Sequence, residues 1–307
     1  KRTIICVPTY IRPIYLEKNL NSLVEQDCKY TYEIAVVDND INQSAKPVVD
    51  KYKDSKIKCG YYTENKRGIS AVRNKCIEIC KEKNADYLVF IDDDEIAEKN
   101  WLQSLLDTSQ KYNAEVVSGP VLCEFEKSPS NAIQNNFFIR SRIKTGSVIK
   151  NCASGNVLID MNIFKEKPQL TFNENFGLMG GEDTHFFMHV KAFNFKLIWC
   201  DEAILHEFIS KERSELKNCL LRSFYAGSQL FYVKKITDKN IFNIKHSSAL
   251  KTFFNIIVVI IRLIICTLTL NQNKFLKNLS RLLEKSGFIF SALTRFQSKQ
   301  YKNIFGE

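Results

Sequence analysis

The 307-residue chain is poor in the residues that punctuate or staple small folds, with 11 glycines, 6 prolines, 4 histidines and 2 tryptophans. So few Gly and Pro exclude a collagen-like or low-complexity chain, and 45% hydrophobic with 12% aromatic residues supply ample material for a core. No internal repeat of solenoid period is visible, which removes the stacked-repeat architectures. Ten cysteines are present. They form no CxxC pair and no zinc-like Cys/His spacing, so reduced core thiols are expected rather than disulfides. The first residues, KRTIICVPTY, have neither the apolar stretch nor the small-residue cleavage site of a signal peptide. A body that faces the cytosol is the expectation.

An even spread of charge is lacking too. The net charge of +10 suggests nucleic acid or an anionic membrane as partner. Residues 1–204 hold 27 Lys and Arg against 28 Asp and Glu, whereas residues 205–307 hold 17 against 6, so the excess is wholly C-terminal. That basic tail contains Phe253 to Leu270, FFNIIVVIIRLIICTLTL, in which 14 of 18 residues are apolar and Arg262 alone is charged. Basic and apolar together read as a membrane surface, and no nucleic-acid partner is expected. The run is near the minimum length for spanning and Arg262 opposes it. After a polar break at Asn271, Gln272 and Asn273, the segment 274–296 places Leu276, Leu279, Leu282, Leu283 and Phe290 toward one side, with Lys277, Arg281 and Lys285 on another. Peripheral attachment to the cytoplasmic side of the inner or plasma membrane is expected, with a core or oligomer helix as the other reading.

The body alternates strand and helix. Strands are predicted at 3–7, 33–38, 57–62 and 86–95, with helices at 14–26, 46–53 and 69–81 between them. The strands are near-continuously apolar, which argues for an α/β fold with a mostly parallel sheet covered on both faces and a ligand site beyond the strands' carboxyl ends. Past residue 100 the pattern loosens into a helix at 99–112, a strand at 114–121, a polar connection at 124–136, a strand at 154–160 and a helix from Glu182. Mixed topology is expected there, and helices from about 214.

The strongest chemical signal is Asp92-Asp93-Asp94-Glu95 after a buried strand. If the strand's alternation continues, Asp92 and Asp94 point to one side, where two carboxylates can hold a hard divalent cation and a phosphate. A solvated acidic turn is the other reading. Asp38 also ends a strand, placed either to accept hydrogen bonds from a ribose or base edge or to cap its own turn. In ENKRGISAVRN, 64–74, Gly68 marks a turn before a helix; Arg67 or the helix amides suit phosphate, and Arg73 suits phosphate or an ion pair with a strand-end Asp.

VPTY at 7–10, VVDND at 36–40, ENKRGISAVRN at 64–74, FIDDDE at 90–95, SGNVLI at 154–159 and GGEDTHFF at 180–187 stand in one order. That order and spacing resemble the inverting family 2 glycosyltransferases of GT-A fold, in the version found in bacterial exopolysaccharide and lipopolysaccharide enzymes of the succinoglycan-biosynthesis type. The resemblance covers roughly residues 3–225. It implies a GT-A, Rossmann-like catalytic domain over 1–225, and leaves 226–307 as a helical membrane-associating extension. It further implies that Asp38 reads the uracil of a UDP-sugar, with Thr9 and Tyr10 lining the nucleoside pocket. Asp92 and Asp94 match the two ends of the DxD motif as ligands of Mn²⁺ or Mg²⁺; Asp93, Arg67 and Arg73 fall among the nucleotide-sugar contacts. Asp183 matches the general base that deprotonates the acceptor hydroxyl, and Glu182 orients a donor or acceptor hydroxyl. His206 matches a C-terminal histidine that completes the metal site, and Arg213, or Arg222 in its stead, an arginine near the donor diphosphate or acceptor. His185 departs from the pattern, since many relatives carry a carboxylate there. Trp101 and Trp199 are either core or sugar-stacking residues.

The expected activity is therefore metal-dependent, inverting transfer of a hexose from a UDP-sugar to a saccharide, expected on a lipid carrier, in surface polysaccharide assembly. A sugar-phosphate nucleotidyltransferase is the enzymatic rival, but Lys1 to Arg12 lacks the glycine-rich phosphate loop such enzymes use. A non-catalytic membrane scaffold is the other rival, and the carboxylates at 92, 94 and 183 count against it.

Overall fold

The computed structural model describes residues 1–237 and 271–298. The chain runs β1 (Thr3–Thr9), α1 (Pro13–Val24), β2 (Tyr32–Asp38), α2 (Lys46–Asp50), β3 (Cys59–Thr63), α3 (Ile69–Glu82), β4 (Tyr87–Phe90), β5 (Glu95–Ala97), α4 (Trp101–Tyr112), β6 (Val116–Ser118) and β7 (Val121–Phe125). It continues through α5 (Asn131–Ile133), β8 (Val157–Asp160), α6 (Asn162–Glu166), α7 (Glu182–Ala192), β9 (Leu197–Trp199), β10 (Leu205–Ile209), α8 (Lys211–Ser214) and α9 (Leu216–Thr237). The last described helix, α10, spans Gln272–Thr294.

Seven strands form one sheet in the order β3-β2-β1-β4-β8-β6-β9. β1 to β4 are parallel, β8 runs antiparallel between β4 and β6, and β9 is parallel to β6. This is the mixed, mostly parallel sheet that the sequence predicts. Alternation of side chains sorts the core into two layers. Ile5, Val7, Ile34, Val36 and Val89 meet Leu16, Leu20 and Leu23 of α1 and Trp101 and Leu105 of α4 on one face. Ile4, Cys6, Val37, Leu88 and Phe90 meet Val72, Cys76 and Ile79 of α3 and Phe186, Phe187 and Val190 of α7 on the other. Each such side chain contributes about 2 kcal/mol by leaving water, so a strand buried on both faces must be apolar throughout.

Several boundaries differ from prediction for local reasons. β1 continues past Pro8 because beyond Cys6 only β2 flanks it, where a residue lacking N–H is tolerated. The single strand predicted over 86–95 is two: β4 ends at Phe90, and a turn closed by Glu95 N–H donating to the Asp92 carbonyl (3.2 Å) leads into β5. The strand predicted over 114–121 is likewise split at Gly119-Pro120, where the chain runs so close to Ala203 that a side chain at Gly119 would stand 2.3 Å from its carbonyl oxygen. β5, β10 and β7 make a separate three-stranded sheet, and β10 was not predicted as a strand. Trp101 is core, fully buried with its indole N–H on Asn156 Oδ1 at 2.8 Å. Trp199 donates to Asp201 at 3.1 Å. The nine cysteines among the described residues are free thiols, as expected.

The boundary expected at residue 225 falls inside α9, which docks on the body. Tyr232 and Val233 pack on Phe176 and Met179, and Gln229 donates to the Met179 carbonyl at 2.8 Å. α10 begins at the predicted polar break, where Asn271 caps it by accepting from Lys274 N–H at 3.0 Å. Its most buried positions are the small Gly287 and Ser291 rather than the leucine stripe, and Phe290 is exposed. The two helices run parallel, with Ser223 paired to Ser280 (2.9 Å) and Ser291 to Ser228 (2.8 Å). Their backbones nearly touch: a Cβ at Gly227 would lie 1.7 Å from the Glu284 carbonyl oxygen. Among the described residues no helix is long and apolar enough to cross a membrane. The run 253–270 lies outside the described residues.

Candidate active site

A cavity of about 390 Å³ opens beyond the carboxyl ends of β1 and β4. Thr9, Tyr10 and Arg12 line it from the end of β1, Arg67, Gly68, Ile69, Val72 and Arg73 from the start of α3, and Asp92, Asp93 and Asp94 from the β4–β5 turn. Glu207, Arg213, Asn218, Leu221, Arg222 and Tyr225 close it from β10 to α9. Ten of the residues singled out in the sequence therefore share one cleft: Thr9, Tyr10, Arg67, Gly68, Arg73, Asp92, Asp93, Asp94, Arg213 and Arg222.

The acidic turn is tied down from beneath. Asn19 of α1, fully buried, donates to the carbonyls of Asp92 (3.2 Å) and Glu95 (2.7 Å). Glu95 is buried and accepts from Asp92 N–H at 3.0 Å. Burial and the nearby Asp92 carboxylate push its carboxyl well above the usual range. Gly155, from SGNVLI, is glycine because a Cβ would stand 2.7 Å from Glu95 Oε1 and 3.1 Å from Asp92 Oδ2. The exposure pattern across the turn alternates, with Asp92 and Asp94 half-exposed and Asp93 buried. Asp92 and Asp94 thus both reach the cleft, but through a turn and not through a continued strand.

Asp93 turns inward. It accepts from the Thr9 hydroxyl at 2.7 Å and from Arg12 at 3.1 Å. Burial raises its carboxyl to about 7 against the pull of Arg12. Asp93 and Thr9 therefore spend their polar atoms on each other. Arg12 also pairs with Asp94 at 3.0 Å. It reaches both because Ile11, with φ at 49°, adopts the left-handed backbone that a β-branched residue rarely takes. Arg213 lies 2.6 Å from Glu207 and 3.5 Å from Asp94.

Arg73 connects the acidic turn to α7. Its side chain is 5% exposed and lies 2.5 Å from Glu182 and 3.4 Å from Asp92. Burial and the adjacent Asp183 raise the Glu182 carboxyl to about 7 in spite of Arg73. Glu182 is thus a buried ion-pair partner; the role of orienting a substrate hydroxyl directly is not open to it in this arrangement. Asp183 is half-buried beside it and accepts from Thr184 N–H at 2.6 Å at the start of the helix. It is outside the residues that line the cavity.

Two further expectations are corrected. Asp38 is fully buried, and its oxygens accept from the backbone of Asp40 (2.9 Å) and Ala45 (3.0 Å) and from the Tyr61 hydroxyl (3.0 Å). It ties its own loop, so its oxygens are not presented to a base; Asn39 lines the cleft in its place. His206 does not reach the acidic turn. Both ring nitrogens face carboxylates, Glu98 at 3.0 Å and Glu124 at 2.9 Å. Strand alternation sends His206 to the face of β10 opposite Glu207, and only Glu207 enters the cleft.

Sequence reading passed over Arg12, Glu207, Asn218, Leu221 and Tyr225. The parity of LHEFI, with Leu205 and Ile209 buried, is a signal that His206 and Glu207 take opposite faces. Nothing in the one-dimensional pattern brings α9 against β1.

Among the described residues no three His, Cys, Asp or Glu side chains converge as a metal site. Asp92 and Asp94 offer two oxygen donors, the set with which Mg²⁺ or Mn²⁺ is held when a substrate diphosphate and water complete its shell. That donor chemistry fits a hard cation brought with a nucleotide. Arg67 and Arg222 line the cleft without a carboxylate partner among the described residues. The Arg67 guanidinium stacks over the Tyr10 ring, 3.1 Å from its centroid. Such arginines suit a phosphate-bearing ligand.

Residues 4–168 match the model of the family described as Glycosyl transferase family 2. The chain is similar to the succinoglycan biosynthesis protein ExoM of Rhizobium meliloti (strain 1021), 28% identical over 233 residues, which cover 73% of this chain and 72% of that protein. Among solved structures it resembles the mannosyltransferase PcManGT from Pyrobaculum calidifontis in complex with GDP-Man and Mn²⁺, with a TM-score of 0.65 and 14% identity over 96% of this chain and 88% of that one. It also resembles S. aureus TarS 1-349 in complex with UDP, with a TM-score of 0.54 and 16% identity over 100% and 95% of the two chains. These structural likenesses, with the mixed sheet flanked by helices, make the fold GT-A-like.

Proposed function

This chain belongs to glycosyl transferase family 2, and from that premise we propose that it moves a hexose from a UDP-sugar to a saccharide acceptor on a lipid carrier. The transfer inverts the sugar, depends on Mn²⁺ or Mg²⁺, and serves surface polysaccharide assembly at the cytoplasmic side of the membrane. The observation that carries the reading is a single cleft joining the strand-end carboxylates Asp92 and Asp94 to Arg67, Arg213 and Arg222. Two carboxylates beside Arg67 and Arg222, which have no carboxylate partner among the described residues, suit a nucleoside diphosphate, and the relatives act in polysaccharide biosynthesis or bind a nucleotide sugar.

When bound, the cation would be held by Asp92 and Asp94 and supply positive charge to the leaving diphosphate. The protein's own groups do the rest. Tyr10 offers an aromatic face at the end of β1, while Arg67 and the arginines of α8 and α9 meet phosphate charge. Arg73 and Glu182 hold the start of α7 to the acidic turn, and so set the distance from Asp183 to the donor. Asp183 takes the proton of the acceptor hydroxyl as that oxygen attacks the anomeric carbon.

Asp183→Asn should lower transfer by about 10²–10⁴-fold with UDP affinity retained. Asp94→Ala should weaken metal-dependent UDP binding measured by calorimetry. Wild-type turnover in the first variant removes the base assignment, and metal-independent UDP binding in the wild type removes the metal role. A panel of UDP-sugars scored by donor hydrolysis identifies the sugar.

A further inference from the structure

Residues 127–159 contain Lys127, Arg140, Arg142, Lys144 and Lys150 and no Asp or Glu. This is the local opposite of the rest of residues 1–204, which hold 22 Lys and Arg against 28 Asp and Glu. Within it, residues 139–150 form a strap along the open edge of the main sheet. Gly146 and Ile149 donate backbone hydrogen bonds to Trp199 and Leu197 (2.9 and 3.0 Å), and Trp199 donates back to Ser147 at 2.9 Å. That pairing turns Ile149 toward the core and leaves Val148 outward, 71% exposed. Ile139 and Ile143 are 61% and 40% exposed. Single exposed aliphatic residues are ordinary. Three among unpaired cations are not.

Arg142 is occupied, since it bonds the Asp201 carboxylate at 2.9 Å. Glu202 faces the strap as well and accepts from Thr145. Arg140, Lys144 and Lys150 are exposed and have no carboxylate partner among the described residues. Segments on either side of the strap touch residues at or beneath the cleft. Phe138, immediately before it, carries the Arg222 guanidinium over its ring, 5.0 Å from the centroid; Gly155, just after it, lies against Asp92 and Glu95. α10, with exposed Lys274, Lys277 and Arg281, packs against α5 and the turn that leads into the strap. The basic strap and the basic helix are thus neighbours.

We propose that residues 139–150 form a membrane-facing surface carried by the catalytic body itself, which lays this edge of the main sheet against an anionic bilayer. The cations meet lipid phosphate and carboxylate headgroups, and Ile139, Ile143 and Val148 enter the boundary below them. This rests on the reading of the protein as a peripheral membrane enzyme, and adds an orientation to it. An acceptor held in the membrane then presents its sugar at the cleft without leaving the surface.

The test is co-sedimentation of the full chain with phosphatidylcholine vesicles, with and without 30% phosphatidylglycerol, about one lipid in three being anionic as near a charged leaflet. Three versions are compared: wild type, Arg140→Gln with Lys144→Gln and Lys150→Gln, and Lys274→Gln with Lys277→Gln and Arg281→Gln. Removing three surface cations should lower partitioning of the strap variant onto anionic vesicles by about a hundredfold. Donor hydrolysis should stay at the wild-type rate, which reports an intact fold and cleft. Amide exchange of the wild type should slow over 139–150 on anionic vesicles. Wild-type partitioning by the strap variant, or unprotected strap amides, overturns the proposal while the peripheral reading stands on the helix variant's loss. Failure of the wild type to bind anionic vesicles overturns both.

Discussion

At the floor of the cleft, Arg73 lies between two carboxylates, 2.5 Å from Glu182 and 3.4 Å from Asp92. Between α9 and α10 the closest approach is made instead at Gly227, Gly287 and serines, flanked by Phe231 edge-on to Phe288, and carbonyl oxygens there occupy the space a side chain would need. The first region depends on what its side chains carry, and the second on how little they carry. A buried ion pair tolerates few substitutions because removal of one partner leaves a charge out of water. A close helix crossing tolerates few because any added carbon meets backbone, which cannot rotate away.

The comparison can be broken at either end. Glu182→Ala is expected to have the larger effect, a loss of about 3 kcal/mol in urea unfolding, because Arg73 stays buried and loses the nearer of its two carboxylates. Glu182→Gln should recover part of that loss by keeping a hydrogen-bond acceptor. Gly227→Leu should lower stability by about 2 kcal/mol and expose α10 to limited proteolysis, since its first carbon alone would stand 1.7 Å from the Glu284 carbonyl oxygen.

The smallest effect concerns His185, at the joint between the two regions. Its ring packs at a tilt against Phe176 and His189, with centroids 5.3 and 4.5 Å away. Burial lowers its imidazole from 6.5 to about 4. The folded protein therefore holds it neutral, so its contribution is complete above pH 6.5 and is lost as pH falls toward 4. By pH 5.5 the unfolded chain gains about 1 kcal/mol from protonating it. His185→Phe should flatten that limb of a stability–pH profile measured by thermal unfolding; an unchanged limb assigns it to another group.

Much of the sheet was legible because buried parallel strands are nearly all apolar and stop at charged residues. Tyr32–Asp38 and Tyr87–Phe90 follow that pattern. The short second sheet was not, since Glu95–Ala97 and Leu205–Ile209 are strands only because they pair with each other. At the site, the acidic turn and the α3 arginines could be located from their place after β-runs. The partners of those groups could not. Arg12 depends on an Ile11 backbone that no local propensity favours, and Asp38 and His206 carry chemistry-bearing side chains whose atoms are already engaged elsewhere.

By itself the sequence determined the strand–helix order, the charge contrast between body and tail, and the ordered motifs of a family 2 glycosyltransferase. Those properties are carried by residue type and spacing along the chain. Tertiary structure alone decided which carboxylates face the cleft, which arginines neutralise them, and which remain for an anionic ligand. The reason is physical. Whether a charged group is available depends on the distance, burial and competing donors around it, and those are set by segments far apart in sequence, as α9 closing over the end of β1 shows.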